Sequence, residues 1–323
     1  MRTLALVVLA AIASSLGPRA AGAQSSLPEV TYGIVGAPGA AGWPILLAQT
    51  QGFFKDEGIA LTTIQGASPP NVISQVATGA INMAGNGCDS EIAAIAHGLP
   101  IKIVAPMFTV NPYSLVVVPG VKTWADLKGK SVMLATKQDV TAIAFSEMAA
   151  AQHLTLDDFS ILLGGSSDQR FAGLASGNVQ GVMLTQPYDF VAESKGNRIL
   201  GSAVDTTKNW VFNCIFANNA WAAKNRPLVV KFLRALRRGM QYGYTHKAVA
   251  VAALVAQAHI DPPIAAHAWD VDFGKWKAYD PDLKLSTAAL QNIGKYQIGF
   301  GVIAALPPIA DLYDPSYTAE ALR

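Results

Sequence analysis

Three aspartates and one lysine are the groups best placed to meet a charged ligand. Asp89, Asp139 and Asp189 each follow closely on a short apolar run, and Lys137 lies two residues before Asp139. A lysine there suits a carboxylate or sulfonate, whereas two aspartates facing one space suit an amine or an aminopyrimidine. Each aspartate has a second reading as a helix cap. Ser68, Ser166 and Thr136 could donate hydroxyl hydrogens to an anion, with capping again the simpler role. Trp43, Phe108, Tyr113, Tyr188 and Trp210 could grip a planar or apolar group, and any one of them is equally suited to a core. Ala40, Asn86, Cys88 and Gln186 complete the candidate ligand-binding set because they share loops with these residues.

Most of these residues fall in five loops, 37–43, 66–71, 86–89, 136–141 and 185–189. Apolar, β-prone runs at 30–35, 59–64, 81–84, 131–135 and 182–185 read as strands, and helical patterns separate them. Ligands of open α/β sheets sit outside the carboxyl ends of the strands, which selects such loops. Several lead into helix N-termini, where free N–H groups favour anions. Further strands are expected at 101–105 and 115–118, and a long helix over 139–153.

One pattern occurs twice. Gly66-Ala67-Ser68 and Gly164-Gly165-Ser166 each open a turn and a helix, and the helices stop at Gly79 and Gly177 before an apolar strand. Ser166 and Gln169 have capping-box spacing. Two matching α/β units imply two lobes with a cleft between them. The reading is an α/β, two-lobed fold, each lobe a mostly parallel sheet flanked by helices. Lobe 1 takes 24–107 and 218–323, lobe 2 takes 112–214, and the crossings lie near 108–111 and 215–217.

The first 23 residues read as an export signal: basic Arg2, an apolar run over 4–16, and Ala21-Gly22-Ala23 as the cleavage site. Cleavage would remove Arg2 and Arg19 and leave acidic and basic side chains equal in number, so no nucleic-acid partner is implied. Cys88 and Cys214 are read as two buried free thiols, with pairing as the alternative. Five scattered histidines and two distant cysteines show no metal-ligand spacing, and no cofactor is implied. Lys231, Arg234 and Arg238 share a helical face, read as solvated, with an acidic partner as the alternative. Trp269, Phe273 and Trp276 recur at helical spacing and are read as core.

The chain resembles the periplasmic solute-binding proteins of ABC importers, in the branch that binds nitrate, sulfonates, taurine, aromatic acids and thiamine precursors. The residues that carry the resemblance are 43–58 with Gly52-Phe53-Phe54 and Glu57-Gly58, then Ala77-Thr78-Gly79 before the Ile81 strand, then Thr123-Trp124-Ala125-Asp126-Leu127-Lys128-Gly129-Lys130, and the tail 285–314. The resemblance implies a type II binding-protein fold whose lobes close on a small molecule and present it to a membrane permease, with the chain as a periplasmic monomer. A small organic anion is the favoured ligand. An aminopyrimidine thiamine precursor is the alternative, as is an enzyme of the similar pyrimidine-precursor synthase type. A sensor kinase could replace the permease. No Gly-x-Ser-x-Gly elbow occurs, and the chain is expected not to be an enzyme.

Overall fold

The computed structural model describes residues 27–36 and 39–323; the export signal and the Ala37-Pro38 pair of the first loop lie outside the described residues. Ten strands form two five-stranded sheets. The first contains β1 (Glu29–Val35), β2 (Ala60–Gly66), β3 (Met83–Gly87) and β4 (Ile101–Phe108). The second contains β5 (Ser114–Val117), β6 (Ser131–Leu134), β7 (Ser160–Leu163), β8 (Gly181–Leu184) and β9 (Arg198–Ser202). The last strand, β10 (Asn213–Asn218), returns to the first sheet.

The strand orders are β2-β1-β3-β10-β4 and β7-β6-β8-β5-β9. In each sheet the first three strands are parallel, and an antiparallel strand, β10 or β5, joins the third to the fifth. Helices flank both sheets. This is the two-lobed α/β arrangement that the sequence pattern implied, and the binding-protein fold that the resemblance implied. The repeat is structural. The helix Pro69–Ala77 precedes β3 and the helix Ser167–Ala175 precedes β8, and β3 and β8 hold the same central position. The same 98-residue shift relates both ends of the two helices.

The chain leaves the first sheet after Phe108 and returns at Asn213, so β10 lies wholly within that sheet. Two edge strands, β7 and β9, escaped the sequence reading. In β7, Leu162 and Leu163 are both exposed, so no burial alternation marks it. The strand β9 is only partly buried and carries Arg198, Gly201 and Ser202.

The cysteines are a correction. Cys88 and Cys214 form a disulfide, not free thiols, with Cα atoms 5.2 Å apart. Cys214 sits opposite Asn86 in the β3–β10 ladder, and Cys88 starts the helix Cys88–Ala96 directly after β3. Strand pairing thus brings together two residues separated by 126 positions.

The helix Arg226–Thr245 turns Arg234 and Arg238, two of the three residues of the basic face, to intramolecular partners. Arg238 pairs with Asp56 at 2.7 Å and Glu57 at 3.5 Å, and Arg234 donates to the Glu320 carbonyl. Phe273 is buried between Trp43, met edge-on, and Trp269, stacked on it, as core residues are. Among the described residues no helix is long and apolar enough to cross a membrane.

Candidate functional site

A cavity of about 570 Å³ lies between the two sheets. Its walls are the carboxyl ends of β1, β3, β6, β7 and β8 with the turns that follow them, closed by Met107, Tyr113, Phe212 and Asn213 near the two crossings. Parallel strands all end on one side, so every turn after them opens on the same space.

Six of the fourteen candidate residues line this cavity: Ala40, Asn86, Asp89, Tyr113, Asp139 and Tyr188. The other eight do not line it. Trp43 is buried in the core behind the first wall, and its indole N–H donates to the Ala250 carbonyl at 3.1 Å. Ser68 caps its helix, accepting from the Asn71 N–H. Cys88 is spent in the disulfide. Phe108 packs edge-on to Phe212 and Tyr279, and Trp210 edge-on to Tyr296. Thr136 and Lys137 are exposed; the Thr136 hydroxyl accepts from the Gln138 N–H, and a lysine ammonium keeps its hydration on such a turn. Gln186 is buried and donates to Asp189 at 2.9 Å and to the Pro112 carbonyl at 3.3 Å.

The cation of the cavity is therefore not Lys137 but Arg170, which the sequence reading passed over. It is 1 % exposed. Its Nε donates to the Met183 carbonyl at 2.6 Å, Nη1 to the carbonyls of Gly164 and Gly165, and Nη2 to the Ser167 hydroxyl at 3.0 Å. The guanidinium stands 5.6 Å from the centre of the Tyr113 ring. One signal could have found it. Arg170 and Leu174 are four residues apart on the buried face of their helix, and a charged residue on such a face needs a partner. Ser166, Ser167 and Asp168 line the cavity beside it.

The rest of the lining is acidic and amide-rich. Asp89, in the first turn of the helix Cys88–Ala96, accepts from the Val140 N–H at 3.0 Å through Oδ2. Burial, reinforced by the charge of Asp139, pushes Asp89 up to about 7. Asp139 caps the helix Val140–Ala150, accepting through Oδ1 from the Thr141 N–H and hydroxyl and the Ala142 N–H. Burial raises it as well. Glu91, buried behind them, is held far above the carboxylate range by burial and by Asp89. Three cavity-lining atoms, Tyr32 Oη, Asn86 Nδ2 and Asn213 Oδ1, are buried without a hydrogen-bond partner. Two of them flank Gly85, where a Cβ would stand 2.1 Å from Tyr32 Oη and 3.1 Å from Asn213 Oδ1. A glycine there keeps the space open, and a ligand's polar group entering it would satisfy those atoms.

Asp189 does not face the cavity. It is fully buried and accepts from Ser114 Oγ, Gln186 Nε2 and its neighbour's Phe190 N–H, each at 2.9 Å. The two walls touch. Besides Asp89 and Val140, the Ala40 N–H donates to the Gln186 carbonyl at 3.2 Å and Gln138 Nε2 to the Phe300 carbonyl at 3.2 Å. A site with a cation and one carboxyl on the second lobe, and another carboxyl and unpartnered amides on the first, can hold a small polar molecule from both sides.

The fold and this cavity define a two-lobed α/β protein of the binding-protein class. Within that class the chain belongs to the NMT1/THI5-like family, whose model matches residues 41–250. It is 24 % identical over 300 residues to the 4-amino-5-hydroxymethyl-2-methylpyrimidine phosphate synthase of Aspergillus parasiticus, covering 86 % of this chain and 83 % of that one. Among solved structures it is similar to the periplasmic sulfonate-binding protein SsuA of a sulfonate ABC transporter from Methylobacillus flagellatus KT. That match has a TM-score of 0.69 and 20 % identity, over 92 % of this chain and 94 % of that one. It is also similar to the desulfurization enzyme DSZB, with a TM-score of 0.67 and 14 % identity, over 91 % and 99 %. Likeness at such identity shows the fold alone. The expectation that the chain is not an enzyme is corrected by these names. A curated relative is a synthase and a structural neighbour a desulfurization enzyme, so neither family nor fold separates catalysts from binders.

Proposed function

We propose that the chain is the solute-binding component of an ABC import system, a periplasmic protein that captures a small organic anion between its lobes and delivers it to a membrane permease. The observation that carries this reading is Arg170, a buried guanidinium on the cavity wall beside Ser166, Ser167 and a helix N-terminus. A sulfonate, carboxylate or aromatic acid would turn its charge to that corner and its apolar part to Ile45, Met107 and Tyr113. The name of the sulfonate-binding neighbour supports the choice of anion. The sequence divides the moving units as 24–107 with 218–323, and 112–214, with hinges near 108–111 and 215–217. Because β10 pairs within the first sheet from Asn213 onward, the second hinge is favoured just before that residue.

A thermal-shift screen of sulfonates, aromatic acids, nitrate and aminopyrimidines tests the reading, since a ligand that binds only the folded chain raises its stability by mass action. A sulfonate or aromatic acid should raise the midpoint, and Arg170→Lys should weaken the effect. No shift with any acid removes the reading.

A pyrimidine ligand is the second reading. It is favoured by Asp89 and Asp139, two carboxyls on the cavity wall, together with the synthase names of the curated relatives. A shift with an aminopyrimidine, followed by its consumption on incubation, would make this the better account.

A further inference from the structure

Asp89 and Asp139 stand on different lobes. Asp89 follows β3 of the first sheet, and Asp139 follows β6 of the second. The residue after Asp139 reaches Asp89 across the cleft: the Val140 N–H donates to Asp89 Oδ2 at 3.0 Å. Both carboxyls line the cavity. Asp139 uses only Oδ1 for its three capping bonds.

We infer that closing this cleft takes up a proton, held by the Asp89–Asp139 pair while the lobes meet and released to solvent when they part. The inference rests on the reading of lobes that open and close. Apart and hydrated, two carboxyls each ionise in the ordinary range. Together and dry, they cannot both carry charge cheaply.

The surroundings do not neutralise the pair. On the helix of Asp89, Glu91 adds another buried carboxyl. From the first crossing comes Tyr113, pushed up to about 12 mainly by burial, and from β1 the Tyr32 phenol, raised further still. The helix Thr287–Gly299 offers only the Gln297 amide, which donates to the Asp89 carbonyl. Asn86 and Asn213 are neutral. Lys137, on the turn before Asp139, is exposed. Among the described residues that line the cavity, Arg170 is the one cation. It favours the charged form of Asp139, but four of its five N–H groups are engaged by three carbonyls and Ser167, and burial still prevails. The direction of the Asp89 displacement agrees with this picture.

By linkage, a solute that needs the closed form binds more tightly as pH falls, by up to about tenfold per pH unit for one proton. A donor group on the solute can take the proton's place between the carboxyls. Such a solute shows a flatter pH dependence.

Amide exchange at Val140 in the solute-free chain tests the inference, because that N–H is freed when the cleft opens. Its protection factor, corrected for the intrinsic exchange rate, should be roughly tenfold or more higher at about pH 5.5 than at about pH 8.5. Asp139→Asn, which keeps a capping residue, should flatten this dependence, and Asp89→Asn should do the same through the other partner. Asp157→Asn, on an exposed turn of the second lobe, should leave it intact. A wild-type protection factor that does not change across this range overturns the inference, as does an undiminished dependence in both cleft variants. No solute enters these measurements. Their failure leaves the capture reading standing, and an empty ligand screen leaves this result standing.

Discussion

The helices Pro69–Ala77 and Ser167–Ala175 occupy the same place in two sheets, yet the second lends the cavity Ser167, Asp168 and Arg170 and the first only Pro69. Val72 in the first stands where Arg170 stands in the second, 98 residues on. Both are buried. Val72 fills the core so tightly that a Cβ at Gly66 would lie 2.3 Å from its methyl, and one at Gly33 would lie 2.8 Å from it. Arg170 instead reaches four oxygens and carries a charge to the cavity. The first helix also opens with Pro69 and Pro70, which have no N–H to offer an anion, whereas the second opens with Ser167 and Asp168. Repetition supplied the position; residue chemistry decided that one copy became packing and the other a site.

The most severe break in this comparison is Arg170→Ala. It strips partners from the carbonyls of Gly164, Gly165 and Met183 and should cost on the order of 3 kcal/mol of unfolding free energy, measured in urea, together with loss of anion binding. A loss under about 1 kcal/mol would mean that the guanidinium is not the organiser of the second copy.

Buried carboxyls give the next contrast. Asp89 and Asp189 are raised from ordinary carboxylate values to about 7, mainly by burial. The native chain therefore holds protons that the unfolded chain has lost. Their contribution is complete below about pH 4 and fades as pH rises through about 7, so the melting temperature should fall between those limits. Asp189→Asn should flatten the fall, and a melting temperature that rises with pH over that span would contradict the burial argument.

Glycine substitutions give a smaller, graded contrast. Gly66→Ala drives a Cβ into the packed Val72 and should cost about 1–3 kcal/mol. Gly165→Ala meets the far end of the flexible Gln169 side chain and should cost clearly less. Equal losses would show that the second copy is as tightly packed as the first. The mildest test is Ser68→Ala. It removes the cap that accepts from the Asn71 N–H and should cost about 1 kcal/mol without touching ligand affinity.

Much of the architecture was legible. Apolar runs marked seven of the ten strands, and β10 was read as the second crossing between the lobes. The edge strands β7 and β9 lack that mark, because one side of each faces water. In the site, Asp89 and Asp139 were readable as polar residues at the carboxyl ends of strands. Trp43 and Phe108 were misjudged because an aromatic beside a loop looks the same whether its ring turns to the cavity or to the core. Lys137 drew attention as a charge in a loop, while Arg170 was concealed inside a helix.

The chain's own sequence determined its alternation of strand and helix, its duplication and the loops that had to share one rim, since these follow from local periodicity and turn chemistry. Tertiary structure alone decided that Cys88 meets Cys214, that Arg170 faces Tyr113, and that Asp89 reaches Val140 across the cleft. Those contacts join residues far apart in the chain, and their partners are set by which strands pair and how closely the two lobes approach, neither of which is written in any local stretch.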